Sequence, residues 1–226
     1  MMEIDFHAHI LPGCDHGSDE WETSRRQLRL ARAAGVRIVC ATSHFYGHQI
    51  SVESFVEKRQ RCYQELMSHA PQNSPQVLLG AEVLAFEGIE RLPDLKELRL
   101  QGTKVLLLEM PFHHWSEGLL DSVEALSEDD DFHIVLAHVD RYDRKDVENL
   151  FHMDRVFGQV NADHLKRIFG MGHLHRWIRE DLIVAVGSDI HGTETGYEDW
   201  ITCRARYADD WEAIMKRTND WLKGLV

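Results

Sequence analysis

The chain reads as an α/β protein whose parallel strands close into a barrel, and three features of the sequence predict this. Apolar runs rich in Val, Ile and Leu recur along it, segments with helical spacing lie between most of them, and residues able to bind metal follow run after run. Continuous rather than alternating apolar runs suit strands buried on both faces, as in a parallel sheet covered by helices. A barrel gathers the carboxyl ends of its strands on one rim, where function-bearing residues collect, so the placement of the ligand-type residues favours a barrel over an open doubly wound sheet.

The elements follow in order. The opening EIDF is the first strand, and it runs directly into DFHAHILPGCDHG over residues 5–17. Leu28, Leu30, Ala31 and Ala34 share a helical face that ends at Gly35, and the second strand is VRIVCAT at 36–42. Val52, Phe55, Val56, Cys62, Tyr63, Leu66 and Met67 mark a helix that Ser51 can cap and Pro71 follows. Further strands are expected at 77–81, 104–108, 133–137, 156–160 and 183–187, with a helical stretch at 119–126. The acidic run Glu128–Asp131 reads as a solvated helix end, and 205–226 as one closing amphipathic helix carrying Trp211, Ile214, Met215, Trp221, Leu222 and Leu225.

At 226 residues, with no repeat, low-complexity tract or linker, the expectation is a single domain over 1–226, long enough to bury its own core. No stretch approaches the 18 or so apolar residues of a membrane span, and MMEIDFH offers no secretory signal, so no membrane partner and a cytoplasmic location are expected. Cys14, Cys40, Cys62 and Cys203 form no C-x-x-C pair, which argues for reduced thiols and against a thiolate zinc site. A formal charge of −13 repels phosphate backbones and no basic track compensates, so nucleic acid is a disfavoured partner. Bound divalent cations would reverse the field locally, so an anionic substrate stays open.

His7 and His9 follow the first run, His44 the second, Glu82, Glu109 and His138 the next three, and Asp189 and His191 the last. Side chains two apart on a strand share a face, so H-A-H and D-I-H can each converge on one site. With His16 there are nine candidates, too many for one ion, and two or three metals are implied. Imidazole and carboxylate without thiolate suit Mn, Zn or Fe. His48, His113 and His114 lie just beyond these segments and can face substrate.

The order HAH, DHG, SH, AE, LE, AH and SDIH resembles the polymerase and histidinol phosphatase (PHP) superfamily. That resemblance implies a distorted seven-stranded (β/α)7 TIM-like barrel with a trinuclear metal cluster. Within the superfamily, IDFHAHILPGCDHG, LLLEMP, LAHVDRY and GSDIHG look most like the bacterial manganese-dependent protein-tyrosine phosphatases of capsule and exopolysaccharide synthesis. The likeness implies a first metal on His7, His9, Glu82 and Asp189, a second sharing Glu82 with Glu109 and His138, and a third on His16, His44 and His191. It makes Mn the first choice of ion and Arg141, within HVDRY, the phosphate clamp. Two departures stand out: the family's Asp-Asp-Gly is Asp15-His16-Gly17 here, and an arginine expected after the D-x-H motif is absent from 192–197.

The resulting expectation is a phosphomonoester hydrolase, most simply a protein-tyrosine phosphatase, with a metal-bridging hydroxide as nucleophile. Cys14 lacks a C-x5-R phosphate loop and is not needed as a nucleophile. If a general acid exists, Asp140, His48 and His114 are the candidates. A phosphorylated protein, such as a bacterial tyrosine kinase tail, or a small phosphomonoester is the expected partner. The rivals are a phosphatase of histidinol phosphate or a sugar phosphate, a phosphodiesterase or exonuclease, and a metal-binding barrel without catalysis.

Overall fold

A computed structural model describes residues 1–166, 172–192 and 196–223. Among these residues nine strand segments are present: β1 (Glu3–Ala8), β2 (Val36–Ala41), β3 (His44–Phe45), β4 (Gln76–Leu79), β5 (Glu82–Leu84), β6 (Val105–Glu109), β7 (His133–Leu136), β8 (Val156–Asn161) and β9 (Ile183–Gly187). Every pairing is parallel. One sheet has the order β1-β2-β4 and the other β3-β5-β6-β7-β8-β9.

Nine segments are found where seven runs were expected because two short strands, β3 and β5, follow just beyond the second and third runs. After Ala41 the chain steps aside at Thr42 and Ser43, whose carbonyls accept from the Glu82 amide at 3.2 and 3.1 Å. β2 therefore pairs with β1 and β4, while β3, only two residues further on, pairs with β5. Strand neighbours thus follow chain order from first to last across both sheets. At the far end the amide of Asp189 donates to His7 O at 2.7 Å and that of His9 to Ile190 O at 3.2 Å, so the exits of the first and last strands lie side by side.

Among the described residues seven α-helices accompany the strands: α1 (Trp21–Ala33), α2 (Val52–His69), α3 (Glu117–Glu128), α4 (Arg144–Leu150), α5 (Gly172–Arg179), α6 (Gly196–Arg206) and α7 (Ala208–Trp221). α1 buries Ser24, Gln27, Leu28 and Ala31, the i, i+3, i+4, i+7 face of an amphipathic helix. Ser51 caps α2 by accepting from the Ser54 amide at 3.2 Å, and Ser116 and Asp143 cap α3 and α4 in the same way. No helix of the described residues is long and apolar enough to cross a membrane.

Two expectations change in detail. The closing segment is two helices, α6 and α7, parted at Tyr207, with Trp211, Ile214, Met215 and Leu222 buried as expected; Leu225 lies outside the described residues. The acidic run at the end of α3 is exposed from 128 to 130, as expected, and also carries ion pairs. Arg155 pairs with Asp130 at 2.7 Å, Lys104 donates to the Asp130 carbonyl at 2.8 Å and Lys96 pairs with Asp131, so cations from three neighbouring segments hold it.

Candidate metal centre

β1 carries His7, and His9 follows one residue past its end, so their imidazoles turn to the same side, Nε2 to Nε2 at 3.0 Å. His44 opens β3, Glu82 opens β5, and Glu109 closes β6. His138 stands two residues beyond β7, and Asp189 and His191 stand beyond β9. Strand alternation therefore does not aim D-I-H, since Asp189 sits in a loop at φ 50°, and His138 sits at φ 34°. Non-glycine residues in this left-handed region carry strain that the surrounding structure must hold, a feature that clusters at functional sites.

The focus of the cluster is the buried carboxylate of Glu82. Its Oε2 lies 3.1 Å from His7 Nε2, 3.1 Å from His9 Nε2 and 3.0 Å from His44 Nδ1. Its Oε1 lies 3.0 Å from His138 Nε2, which is 3.6 Å from Glu109 Oε1. Asp189 Oδ1 is 3.6 Å from His7 Nε2 and 3.5 Å from His9 Nε2. The His16 ring is exposed and stacks with those of His44 and His191 at 4.7 and 4.9 Å. All nine candidates thus border one mouth.

A divalent ion fits these residues. Three trios present ligand atoms within 4.8 Å of one another: His9, His44 and His191; His7, His9 and Glu82; and His44, Glu82 and Glu109. His9 joins the first trio where the sequence suggested His16. Glu82 Oε2 and His44 Nδ1 are buried, close together and without a hydrogen-bond partner. Buried polar atoms are normally satisfied, and orphaned ones aimed at a common point are what a missing cation leaves behind.

A second layer of residues fixes the first. Nδ1 of His9 donates to Asp15 Oδ2 at 2.7 Å, that of His7 to Gln159 Oε1 at 3.0 Å, and that of His191 to the Asp189 carbonyl at 2.9 Å. Each bond selects the tautomer that leaves Nε2 free to ligate. Asp15 also accepts from the amides of Gly17 and His44 at 2.9 Å each. Gln159 accepts from the His138 amide at 2.8 Å and donates to Asn161 at 2.8 Å, and Asn161 donates to Asp189 Oδ2 at 2.9 Å. Arg141 donates to the same Asp189 oxygen at 2.7 Å.

None of Asp15, Gln159 and Asn161 was singled out from the sequence. The signal for the amides was present: Gln159 and Asn161 are polar, two apart, and at the end of an otherwise apolar strand. Two glycines are required by the same packing. A Cβ on Gly17 would lie 2.1 Å from His9 Cβ, and one on Gly187 would lie 2.5 Å from His7 Cβ.

Charge in the cluster is set by mutual contacts. Burial opposes ionisation of Glu82, yet the charge of His7 and the close approach of the His138 and His44 imidazoles hold its carboxyl well below the usual range. Burial likewise opposes a charged His9, but Asp15 and Glu82 push it up to about 10. His138, against burial, is raised to about 9 by Glu109 and Glu82. His191, half-buried and beside His9, falls to about 4.

The remaining candidates sit further out. Asp140 is turned inward, accepting from the Asn161 amide at 2.9 Å and facing His164 Nδ1 at 2.8 Å. His48 is exposed and contacts Gln49 at 3.2 Å, and His113 and His114 are exposed. Cys14 is buried, as are the other three cysteines, and none forms a disulfide. Within 192–197, where no arginine occurs, residues 193–195 lie outside the described set; the Gly192 carbonyl accepts from Arg26 at 3.1 Å.

Comparison with known proteins agrees with this arrangement. The chain is 29% identical over 205 residues to a tyrosine-protein phosphatase, YwqE, of Bacillus subtilis (strain 168), covering 85% of this chain and 78% of the relative. It is 25% identical over 212 residues to a tyrosine-protein phosphatase, CpsB, of Streptococcus agalactiae serotype V, covering 84% of each. A chain from the crystal structures of YwqE from Bacillus subtilis and CpsB from Streptococcus pneumoniae, described as unique metal-dependent tyrosine phosphatases, superposes with a TM-score of 0.75. That match has 25% identity and covers 97% of this chain and 94% of the other. Its fold is thus that of the PHP-type phosphatases, and the family model for capsular polysaccharide synthesis, CpsB/CapC, matches residues 3–211, so the chain belongs to the CpsB/CapC family.

Proposed function

We propose that this chain is a metal-dependent protein-tyrosine phosphatase, acting as one domain over 1–226 on a phosphorylated protein of capsule or exopolysaccharide synthesis. The observation that carries the reading is the Glu82 carboxylate, whose two oxygens face different imidazole sets 3.0 to 3.1 Å away, as a bridge between two cations requires. His7, His9 and Asp189 would hold one ion beside Glu82, and Glu109 and His138 a second. His44 and His191 would hold a third with His16 or His9. Mn is the first choice for the ions, and the imidazole-rich third set also suits Zn or Fe.

When bound, divalent ions make water a usable nucleophile at neutral pH and neutralise charge on phosphoryl oxygens. The chain's own residues position the reactants. Arg141, half exposed and anchored to Asp189, offers its remaining guanidinium donors to a phosphoryl group, and Asn161 and Gln159 keep Asp189 and His7 from turning away. A tyrosyl oxygen, with a pKa of about 10, departs with less protonation than an alkyl alcohol needs. The reaction therefore does not depend on a dedicated acid. Asp140 serves the fold through Asn161 and His164, and His48 and His114 are exposed imidazoles available for proton transfer. The bacterial cytoplasm, where thiols stay reduced, is the compartment that suits four cysteines that form no disulfide. A tyrosine kinase tail is the natural substrate class.

The test compares hydrolysis of a phosphotyrosyl peptide, histidinol phosphate and a bis-aryl phosphodiester by the metal-loaded protein. The peptide is expected to be turned over fastest, and Glu109→Ala or His138→Ala to lower turnover on the order of 100-fold. Faster hydrolysis of histidinol phosphate or of the diester would contradict the substrate assignment. Undiminished turnover in both variants would contradict the site.

A further inference from the structure

Phe112 lies in the loop that follows β6, three residues past Glu109, and is 60% exposed, the one aromatic among the large apolar side chains left in solvent by the described residues. A single exposed phenylalanine is unremarkable; its surroundings are not. Its ring is nearly parallel to that of His138, 15° between planes and 5.9 Å between centroids. It also contacts the Tyr142 ring at 5.8 Å, and Tyr142 in turn meets Trp115 edge-on at 5.6 Å.

The loop that carries Phe112 is held on both sides. Tyr142 Oη accepts from the Met110 amide at 3.0 Å, and Trp115 Nε1 donates to the Pro111 carbonyl at 2.7 Å. Tyr142 and Trp115 are half-buried against the core, so Phe112 is the outermost ring of a fixed stack. Arg141 leaves the turn that begins at His138 and precedes Tyr142 directly. A phosphoryl group held by Arg141 beside His138 therefore has an aromatic face next to it, on the solvent side.

We infer that Phe112 is the platform on which the aromatic ring of the substrate's phosphotyrosyl group rests, and so a specificity-determining residue that favours aryl over alkyl phosphomonoesters. The inference builds on the phosphatase reading above and adds to it how the leaving group is recognised. Offset stacking between rings contributes about 0.5–1.5 kcal/mol, which is about 2- to 13-fold in binding. Because Tyr142 and Trp115 fix the loop before substrate arrives, little of that gain is lost to ordering.

The experiment measures competitive inhibition of 4-nitrophenyl phosphate hydrolysis by phenylphosphonate and by methylphosphonate, with the full-length metal-loaded protein, Phe112→Ala and Phe112→Tyr. The exposed position leaves the fold of both variants intact, which circular dichroism checks. Phe112→Ala is expected to raise KM for the aryl ester and Ki for phenylphosphonate about 3- to 10-fold, while Ki for methylphosphonate holds and Phe112→Tyr behaves as wild type. An unchanged ratio of the two Ki values in Phe112→Ala overturns the inference and leaves the phosphatase reading standing. A wild type that hydrolyses no aryl phosphate overturns both.

Discussion

Glu82 is 1% exposed, so its charge survives only beside positive charge, and in the metal-free protein that charge comes from protons on the facing imidazoles. His9, raised to about 10, and His138, raised to about 9, are protonated at pH 7. A metal ion needs the lone pairs those protons occupy, so loading must expel them. In the metal-free chain the same raised values stabilise the fold fully below the ordinary 6.5 and lose that contribution as pH climbs through about 9 and 10. Metal titration in weak buffer at pH 7 should therefore release protons, with apparent affinity rising as pH goes from 6 toward 9. Affinity that is flat over this range, with no proton release, would mean that the imidazoles are not ligands. Much at this scale could be read from the bare chain, because ligand chemistry is written in residue type. Asp15, Gln159 and Asn161 escaped it, because a residue that orients a ligand has no chemical signature of its own until its neighbour is known.

Seven apolar runs announced themselves by composition, and each became a strand, while the short β3 and β5 lay beyond the runs. The breaks at 42–43 and 80–81 gave no such signal, because they depend on which neighbour each segment pairs with, a long-range fact. The left-handed backbone at His138 and Asp189 was equally silent, since neither is glycine and nothing local marks the turn. α4, short and charged with only Val147 and Leu150 buried, gives too little apolar periodicity to read. The closing helices are tied to the first strand by a contact that sequence also hides: Trp200 Nε1 and Trp211 Nε1 both donate to Glu3 Oε2 at 3.2 Å, and their rings meet edge-on at 4.8 Å. Glu3→Ala would leave two buried indole N–H groups without an acceptor. Unfolding in urea should show it less stable by about 1–3 kcal/mol, and a change below a few tenths would show that Glu3 does not anchor α6 and α7.

Across the whole molecule, the barrel-like order of strands brings residues from position 7 to position 191 to one mouth, and Asp189 N to His7 O at 2.7 Å is where the two chain ends of the site meet. A net charge of −13 would ordinarily keep a phosphoester away, and the carboxylates of the mouth add to that repulsion. Divalent ions at the Glu82 focus would reverse the local sign and let an acidic protein hold an anionic substrate. The decisive measurement is the metal content of protein purified without chelator, taken alongside its phosphotyrosyl-peptide hydrolysis, before and after chelation and add-back of Mn. At least two ions per chain are expected, lost together with activity on chelation, restored together on add-back, and both deficient in Glu82→Gln. Full hydrolysis by chelated protein, or a Glu82→Gln variant that keeps its metal and its rate, would contradict a cation-filled mouth.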